Sequence, residues 1–310
     1  TNDHRACVDM DLLAADQESD FPFLDLPFDG ILGLSPDPED GAPGSCIACE
    51  FHRVLGLGIF MVRLGAPHRD SDEAAAGEVV FTAELPDADR VAEGSRRWAW
   101  AVAATGPEMK RFWSVQIVSA WFGDQPLQLC SPSDNGGGSR VGSGDEPPPM
   151  RSPAAPKPPP LQATAAAPVQ SSAVACRAVL DTGSHNMMGP TAPVAFINDA
   201  LGAGLGKSSS CAGLSRLPSL RLVIAGEEGP IYLNLSATEY TQEVKDDDSD
   251  GTGSVARCTS LFINSPDVPS LSNIWILGQP VLKKLPTAYD LSRRRVAFAV
   301  LPTEAPAQVA

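Results

Sequence analysis

The chain has 310 residues and a net charge of −15 at pH 7, with 43% hydrophobic and 6% aromatic residues. This length is enough to enclose a sizeable hydrophobic core. The acidic balance argues against a nucleic-acid partner, because recognition of phosphates needs a positively charged surface. No apolar run is long enough to span a bilayer. The 27 glycines and 29 prolines favour turn-rich β structure over a helix bundle.

The N-terminal part of the chain consists of short apolar segments separated by turn-forming residues. Residues 21–34 are apolar and punctuated by glycine, which predicts a buried strand beside a tight turn. Residues 50–64 predict a short helix followed by a strand over residues 59–64. Further strands are expected over residues 77–82, 98–103 and 111–120. This density of short β segments indicates an all-β domain.

Residues 131–175 differ in kind from the rest of the chain. They contain ten prolines, several glycine and alanine runs and no aromatic residue. Such a segment cannot bury enough apolar area to offset the entropy lost on ordering. We therefore predict a disordered insert or linker over this range.

Regular structure is predicted again after residue 177. Strands are expected near residues 219–225 and 231–235, followed by an acidic loop over residues 245–253. A closing strand is expected over residues 295–300, and a tail rich in proline and alanine begins at Pro302.

The main candidate for chemistry is a carboxylate at the end of a buried strand. The segment Asp181-Thr182-Gly183-Ser184 directly follows the apolar run Ala178-Val179-Leu180. Gly183 permits a tight turn, and the hydroxyls of Thr182 and Ser184 can donate hydrogen bonds that hold the carboxylate. A carboxylate held in this way can act as a general base. On this segment alone, an ordinary Asx turn is the alternative interpretation.

Four motifs occur in an order that resembles the pepsin-like (A1) aspartic proteases over nearly the whole chain. They are Phe28-Asp29-Gly30-Ile31-Leu32-Gly33-Leu34; Ala178-Val179-Leu180-Asp181-Thr182-Gly183-Ser184 with Gly189-Pro190; Trp275-Ile276-Leu277-Gly278; and Tyr289-Asp290 with Arg295-Val296-Ala297-Phe298-Ala299.

The resemblance implies an all-β, pepsin-like acid protease fold that is truncated. Residues 1–82 would be the remnant of the N-terminal lobe and the interlobe sheet, and residues 83–310 the complete C-terminal catalytic lobe with its insert. Asp181 would be one catalytic aspartate, supported by Thr182, Gly183 and Ser184. Further support would come from the hydrophobic-hydrophobic-glycine segment Ile276, Leu277 and Gly278.

In this family two carboxylates share a proton and activate a water that attacks a peptide bond. The chain contains a single Asp-Thr/Ser-Gly triplet. We therefore expect an aspartic endopeptidase acting on polypeptides, inactive as this chain alone, whose partner is the missing segment of the N-terminal lobe. A catalytically inactive binding or inhibitor protein of the same fold is the alternative. Completion of the dyad by homodimerisation is less favoured, because the N-terminal-lobe remnant would obstruct the two-fold axis.

Two residues after the triplet depart from the family pattern and are candidates for substrate binding. His185 and Asn186 stand where the family usually has a small hydroxyl residue and an aliphatic residue, and Gln279 replaces a common acidic residue. A solvent-facing histidine on the turn is the alternative for His185. The four histidines do not cluster as metal ligands, and neither a metal nor another cofactor is expected.

The resemblance also implies two disulfides among the seven cysteines, Cys130–Cys176 and Cys211–Cys258. Cys46 and Cys49 have no counterpart in the family, and a local loop disulfide is favoured over a redox motif. Cys7 is left without an assigned partner. The disulfides and the family together imply the secretory pathway, an extracellular space or an acidic vesicular compartment. The single N-glycosylation triplet is Asn234-Leu235-Ser236.

Overall fold

The structure is a computed structural model that describes residues 14, 30–36, 46–65, 77–88, 96–130, 176–202, 209–211, 214–246, 255–265 and 273–301. Most of the ordered elements in these ranges are short strands, and the helices are few and short. The predicted all-β fold class is therefore confirmed. The predicted insert over residues 131–175, Cys7 and the tail from Pro302 lie outside the described residues.

The helices of the described part are α1 (Ile47–Leu55), α2 (Thr191–Ala200), α3 (Ala237–Tyr240) and α4 (Gln279–Leu282), with 3₁₀ turns at Pro107–Arg111 and Leu214–Arg216. The strands up to the Asp181 segment are β1 (Ile59–Arg63), β2 (Glu78–Thr82), β3 (Arg97–Trp100), β4 (Ser114–Phe122), β5 (Gln125–Pro126) and β6 (Cys176–Leu180). The remaining strands are β7 (Met187–Gly189), β8 (Ser209–Ser210), β9 (Leu220–Ile224), β10 (Ile231–Leu235), β11 (Thr241–Asp246), β12 (Val255–Ser260), β13 (Phe262–Asn264), β14 (Ile274–Leu277), β15 (Thr287–Asp290) and β16 (Arg295–Val300).

A five-stranded antiparallel sheet joins the two ends of the described chain in the order β2-β1-β15-β16-β3. Its central pairing places Phe60 opposite Tyr289, and their rings stack with centroids 4.6 Å apart. Trp113 packs edge-on against both rings. Because stacked and edge-on aromatic contacts add to the gain from burial, this cluster fixes the sheet against Trp113, the residue that directly precedes β4.

The second sheet has the order β10-β9-β4-β6-β14-β7-β13, with β5 paired to β4. The strand β14 lies between β6 and β7, parallel to β6 and antiparallel to β7. Because β6 and β7 are buried along most of their length, the loop that connects them is held on two sides. A third sheet, with the order β11-β12-β8, lies beside this loop through Gln242.

Most predicted strands match the structure closely. The strands over residues 231–235 and 295–300 have the predicted bounds, and the helix and strand predicted within residues 50–64 are α1 and β1. Two predictions were wrong at their ends. The strand expected over residues 98–103 stops at Trp100, and residues 107–111 form a 3₁₀ turn before β4 begins at Ser114.

The buried strand predicted over residues 21–34 is wrong in the part that the structure describes. Residues 30–34 form no strand, and Ile31 and Leu32 are 77% and 62% exposed. The physical reason is that no described strand pairs with this segment, so Ile31 and Leu32 have no described partner surface to pack against. Leu34 packs against the main core, and the indole nitrogen of Trp113 donates to its carbonyl at 2.7 Å.

Three disulfides connect the described cysteines. Cys130–Cys176 and Cys211–Cys258 are the two pairs that the resemblance implies, and Cys46–Cys49 is the local pair expected at the start of α1. Cys176 is the first residue of β6, so the first disulfide anchors the start of the strand that leads to Asp181.

Among the described residues, no helix is both long and apolar enough to cross a membrane.

Candidate active site

Asp181 directly follows the last residue of β6, a central strand of the second sheet. The amide of Leu180 donates to the carbonyl of Trp113 at 2.8 Å, on the β4 side. The amide of Asp181 donates to the carbonyl of Leu277 at 3.2 Å, on the β14 side. The chain therefore leaves the sheet at Asp181 with its backbone fixed to both neighbouring segments, which sets the direction of the side chain.

The carboxylate of Asp181 is held within its own loop. The amide of Gly183 donates to Oδ1 at 2.9 Å, and the hydroxyl of Ser184 donates to Oδ2 at 2.6 Å. Ser184 is buried, whereas Asp181 is partly exposed. A carboxylate with one donor on each oxygen has a fixed orientation and still presents its remaining lone pairs to solvent or substrate. The side chain of Thr182 is exposed.

The segment Ile276-Leu277-Gly278 lies against the other side of the loop. In its register with β6, Ile276 pairs with Val179 and Leu277 with Leu180. A Cβ atom at Gly278 would overlap the carbonyl oxygens of Ser184 and Asn186. Only glycine permits this approach.

Tyr289 is a neighbour of Asp181 that the sequence did not single out for the site. Its ring is 2% exposed, and its hydroxyl accepts a hydrogen bond from Thr287 at 3.1 Å. Burial raises the pKa of Tyr289 to about 12, and the nearby charge of Asp181 acts in the same direction. The motif Tyr289-Asp290 was available as a signal, but its relation to the site depends on a tertiary contact. The Tyr289 ring packs against Trp113, whose carbonyl accepts from the amide of Leu180 next to Asp181.

His185 and Asn186 lie in the loop that follows the triplet, with His185 exposed and Asn186 half-buried. Nε2 of His185 lies 2.7 Å from the side-chain oxygen of Gln242, and Nδ1 lies 3.4 Å from that of Gln279. His185 therefore links the Asp181 loop to β11 and to α4. Gln242 was not predicted from the sequence, because nothing local to it indicates a site.

No group of three or more histidine, cysteine, aspartate or glutamate side chains in the described part of the chain is arranged to hold a metal ion. The loop presents an oriented carboxylate, that of Asp181. Near it lie the imidazole of His185 and the side-chain amides of Gln242 and Gln279.

Comparison with known proteins shows that part of the chain is similar to aspartic proteases. Residues 162–301 match the family model described as eukaryotic aspartyl protease. The chain is 33% identical over 129 residues to pepsin A of Sus scrofa and 30% identical over 128 residues to cathepsin D of Dictyostelium discoideum. Each of these alignments covers 40% of this chain and 30% of the relative's length. A longer alignment with cardosin-F of Cynara cardunculus is 23% identical and covers 94% of this chain and 72% of that protein.

The sheets define an all-β protein, and its Asp-Thr-Gly-Ser loop holds the Asp181 carboxylate through Gly183 and Ser184. Over residues 162–301 the chain is similar to the pepsin-like family of aspartic proteases. It spans about 30% of the length of the pepsin A and cathepsin D relatives that it matches.

Proposed function

We propose that this chain contributes Asp181 to the two-aspartate site of an aspartic endopeptidase that acts on polypeptides. The observation that supports this most strongly is the anchoring of the Asp181 carboxylate between Gly183, Ser184 and the Leu277 segment. A surface Asx turn would not need support from a distant strand.

The second aspartate would be supplied by a polypeptide segment that docks on residues 30–34. The tripeptide Ile31-Leu32-Gly33 repeats Ile276-Leu277-Gly278, which packs against the Asp181 loop. Unlike its counterpart, the first copy is exposed, and a Cβ atom at Gly33 would meet nothing within 4 Å. A second strand ending in Asp-Thr/Ser-Gly would cover these side chains and bring its carboxylate towards Asp181.

In this arrangement the two carboxylates would share one proton, because two close negative charges are costly. The ionised member would take a proton from a water held between them, while the protonated member would donate a hydrogen bond to the scissile carbonyl. Ser184 and Gly183 would keep Asp181 in the orientation that this requires. His185 and Asn186 would contact the substrate at the rim of the cleft.

The experiment compares this chain with the protein produced from its full coding sequence, using an acid-pH peptide-cleavage assay and calorimetric binding of a statine-type inhibitor. We expect no turnover from the chain alone. In the full protein, Asp181→Asn should lower kcat by about a hundredfold or more. The control is Asp199→Asn, the same change at an exposed position near the end of α2, and it should leave kcat unchanged.

Two results would contradict this proposal. Turnover by the chain alone that is lost in Asp181→Ala would remove the need for a second segment. Full activity of the Asp181→Asn full protein would remove Asp181 from the reaction. If the full protein binds peptides or the inhibitor without cleaving them, the alternative of a binding or inhibitor protein is supported instead.

The place of action that we propose is the secretory pathway, an extracellular space or an acidic vesicle. The three disulfides support this, because such bonds persist in oxidising compartments.

A further inference from the structure

Asn234 occupies a position on the second sheet that the proposed protease function does not use. It lies in β10, the terminal strand in the order of that sheet. The strands β9 and β4 separate β10 from β6, which carries Asp181. A modification of Asn234 would therefore leave the catalytic loop accessible.

The side chain of Asn234 points away from the core. Along β10 the residues Ile231, Leu233 and Leu235 are buried, whereas Asn234 is exposed. This is the alternation of a strand with one face against the core and the other in solvent. Among the residues that the structure describes, none forms a hydrogen bond with the side-chain amide of Asn234, so attaching a large group to that side chain breaks no described hydrogen bond.

The neighbours of Asn234 across the sheet are the half-buried Arg221 and Trp121. Arg221 lies directly opposite it on β9, and Trp121 lies opposite Arg221 on β4. The guanidinium of Arg221 lies over the Trp121 ring, 5.9 Å from its centroid. A group attached at Asn234 could extend over this row, because adjacent strands are about 4.8 Å apart.

The acceptor triplet is continuous with this exposed position. Asn234 is followed by Leu235, which is not proline, and by the exposed Ser236. Ser236 has extended backbone geometry and begins α3, with its hydroxyl 2.8 Å from the carboxylate of Glu239. The folded chain thus keeps Asn234 and Ser236 on the surface on either side of a buried leucine.

We propose that Asn234 carries an N-linked oligosaccharide in the mature protein. In the transfer, Nδ2 of Asn234 would attack the anomeric carbon of a lipid-linked oligosaccharide pyrophosphate. A carbon–nitrogen bond forms, the bond from the anomeric carbon to the pyrophosphate oxygen breaks, the lipid pyrophosphate leaves, and the amide loses one proton. The proposal rests on the secretory placement proposed above and not on peptidase activity.

The test places the chain behind a cleavable signal sequence, translates it with endoplasmic-reticulum microsomes, and treats the protease-protected product with peptide N-glycosidase. We expect one mobility step that the glycosidase removes, with Asn234 converted to aspartate in the peptide map. Asn234→Gln should abolish the step. Ser236→Thr keeps the acceptor triplet and should retain it, which separates loss of the acceptor from disturbance of α3.

Because the readout is taken on translocated chains, it does not depend on folding or on catalysis. Protease-protected chains without a glycosidase-sensitive step would overturn the proposal, and so would a step that persists in Asn234→Gln. Occupancy can also be measured on the full protein secreted from a eukaryotic host. A secreted protein that is active but carries unmodified Asn234 would overturn the glycan site while leaving the proposed protease function intact.

Discussion

At the residue scale, the loop that holds Asp181 depends on a glycine that lies far from it in sequence. Gly278 approaches the backbone of Ser184 and Asn186 so closely that a methyl group has no space. The neighbouring amide of Gln279 donates to the carbonyl of Ser184 at 2.9 Å. The loop that holds Asp181 is therefore shaped by the backbone that packs against it as well as by its own residues.

We predict that Gly278→Ala destabilises the chain by about 1–3 kcal/mol, because the added methyl group must displace backbone. Gly33→Ala is the matched control at the equivalent position of the repeated tripeptide. In this chain alone it should change the free energy of unfolding by less than about 0.5 kcal/mol. Urea denaturation measures both variants. Equal effects of the two substitutions in this chain would contradict the contact at Gly278.

Tyr289 makes the folding stability of the chain depend on pH in the alkaline range. Its folded pKa of about 12 lies above the ordinary value of 10.0, because burial disfavours the charged phenolate. The folded chain therefore binds the phenolic proton more tightly than the unfolded chain does. The stability from this group is complete below pH 10 and is lost as the pH rises towards about 12.

We expect the free energy of unfolding of the wild-type chain to fall by roughly 1.4 kcal/mol per pH unit in this window through Tyr289 alone. Tyr289→Phe should remove this component and give a shallower slope. Urea denaturation of both proteins between about pH 10 and about pH 12 measures the difference. Identical slopes would show that Tyr289 ionises equally easily in the folded and unfolded chains.

At the scale of elements, β6 is fixed at both ends by different kinds of bond. Cys176 at its start is bound to Cys130, and Leu180 at its end is hydrogen-bonded to Trp113. The disulfide closes a long segment, whereas Cys46–Cys49 closes only one turn at the start of α1. The two disulfides should therefore differ in how much they restrict the unfolded chain.

Replacing both Cys130 and Cys176 with alanine should cost about 4 kcal/mol, the loop-closure value for a sequence separation of 46. The same double change at Cys46 and Cys49, with a separation of 3, should cost about 2 kcal/mol or less. Denaturant unfolding under non-reducing conditions compares the two. A larger loss at Cys46 and Cys49 would contradict the assignment of β6 as the strand that its disulfide stabilises.

At the scale of the whole molecule, one residue connects the two larger sheets and the exposed apolar segment. Trp113 packs against Phe60 and Tyr289 of the five-stranded sheet. Its carbonyl accepts from Leu180 in the second sheet, and its indole donates to Leu34. A substitution at this residue should therefore weaken the packing of both sheets and of residues 30–36.

Trp113→Ala should destabilise the chain by about 3–5 kcal/mol, as expected for removal of a large buried aromatic residue. Trp98→Ala is the control, because Trp98 is only partly buried and packs against a small separate cluster. Trp113→Phe should keep the aromatic contacts and lose only about 1 kcal/mol with the bond to Leu34. Hydrogen exchange should then increase at residues 30–36 first. Equal losses in both alanine variants would contradict the linking role of Trp113.

The sequence was sufficient for features that depend on local pattern. The strand over residues 231–235 was predicted with its observed bounds, because its alternation of apolar and polar residues is complete within five positions. The Asp181 segment was identified because the buried strand, the glycine and the hydroxyl residues are contiguous. The order of the motifs was sufficient to identify the family, since that order does not depend on how the chain folds.

The tertiary structure decided what depends on contacts between distant residues. His185 lies 57 positions from Gln242 and 94 positions from Gln279, and only the packing of β11 and α4 brings them together. Likewise, the apolar side chains of Ile31 and Leu32 predict burial, yet both are exposed. Burial needs a partner surface, and no described strand provides one for them. The sequence specifies which side chains are apolar and would be stabilised by burial, whereas the assembly of strands determines which of them are buried.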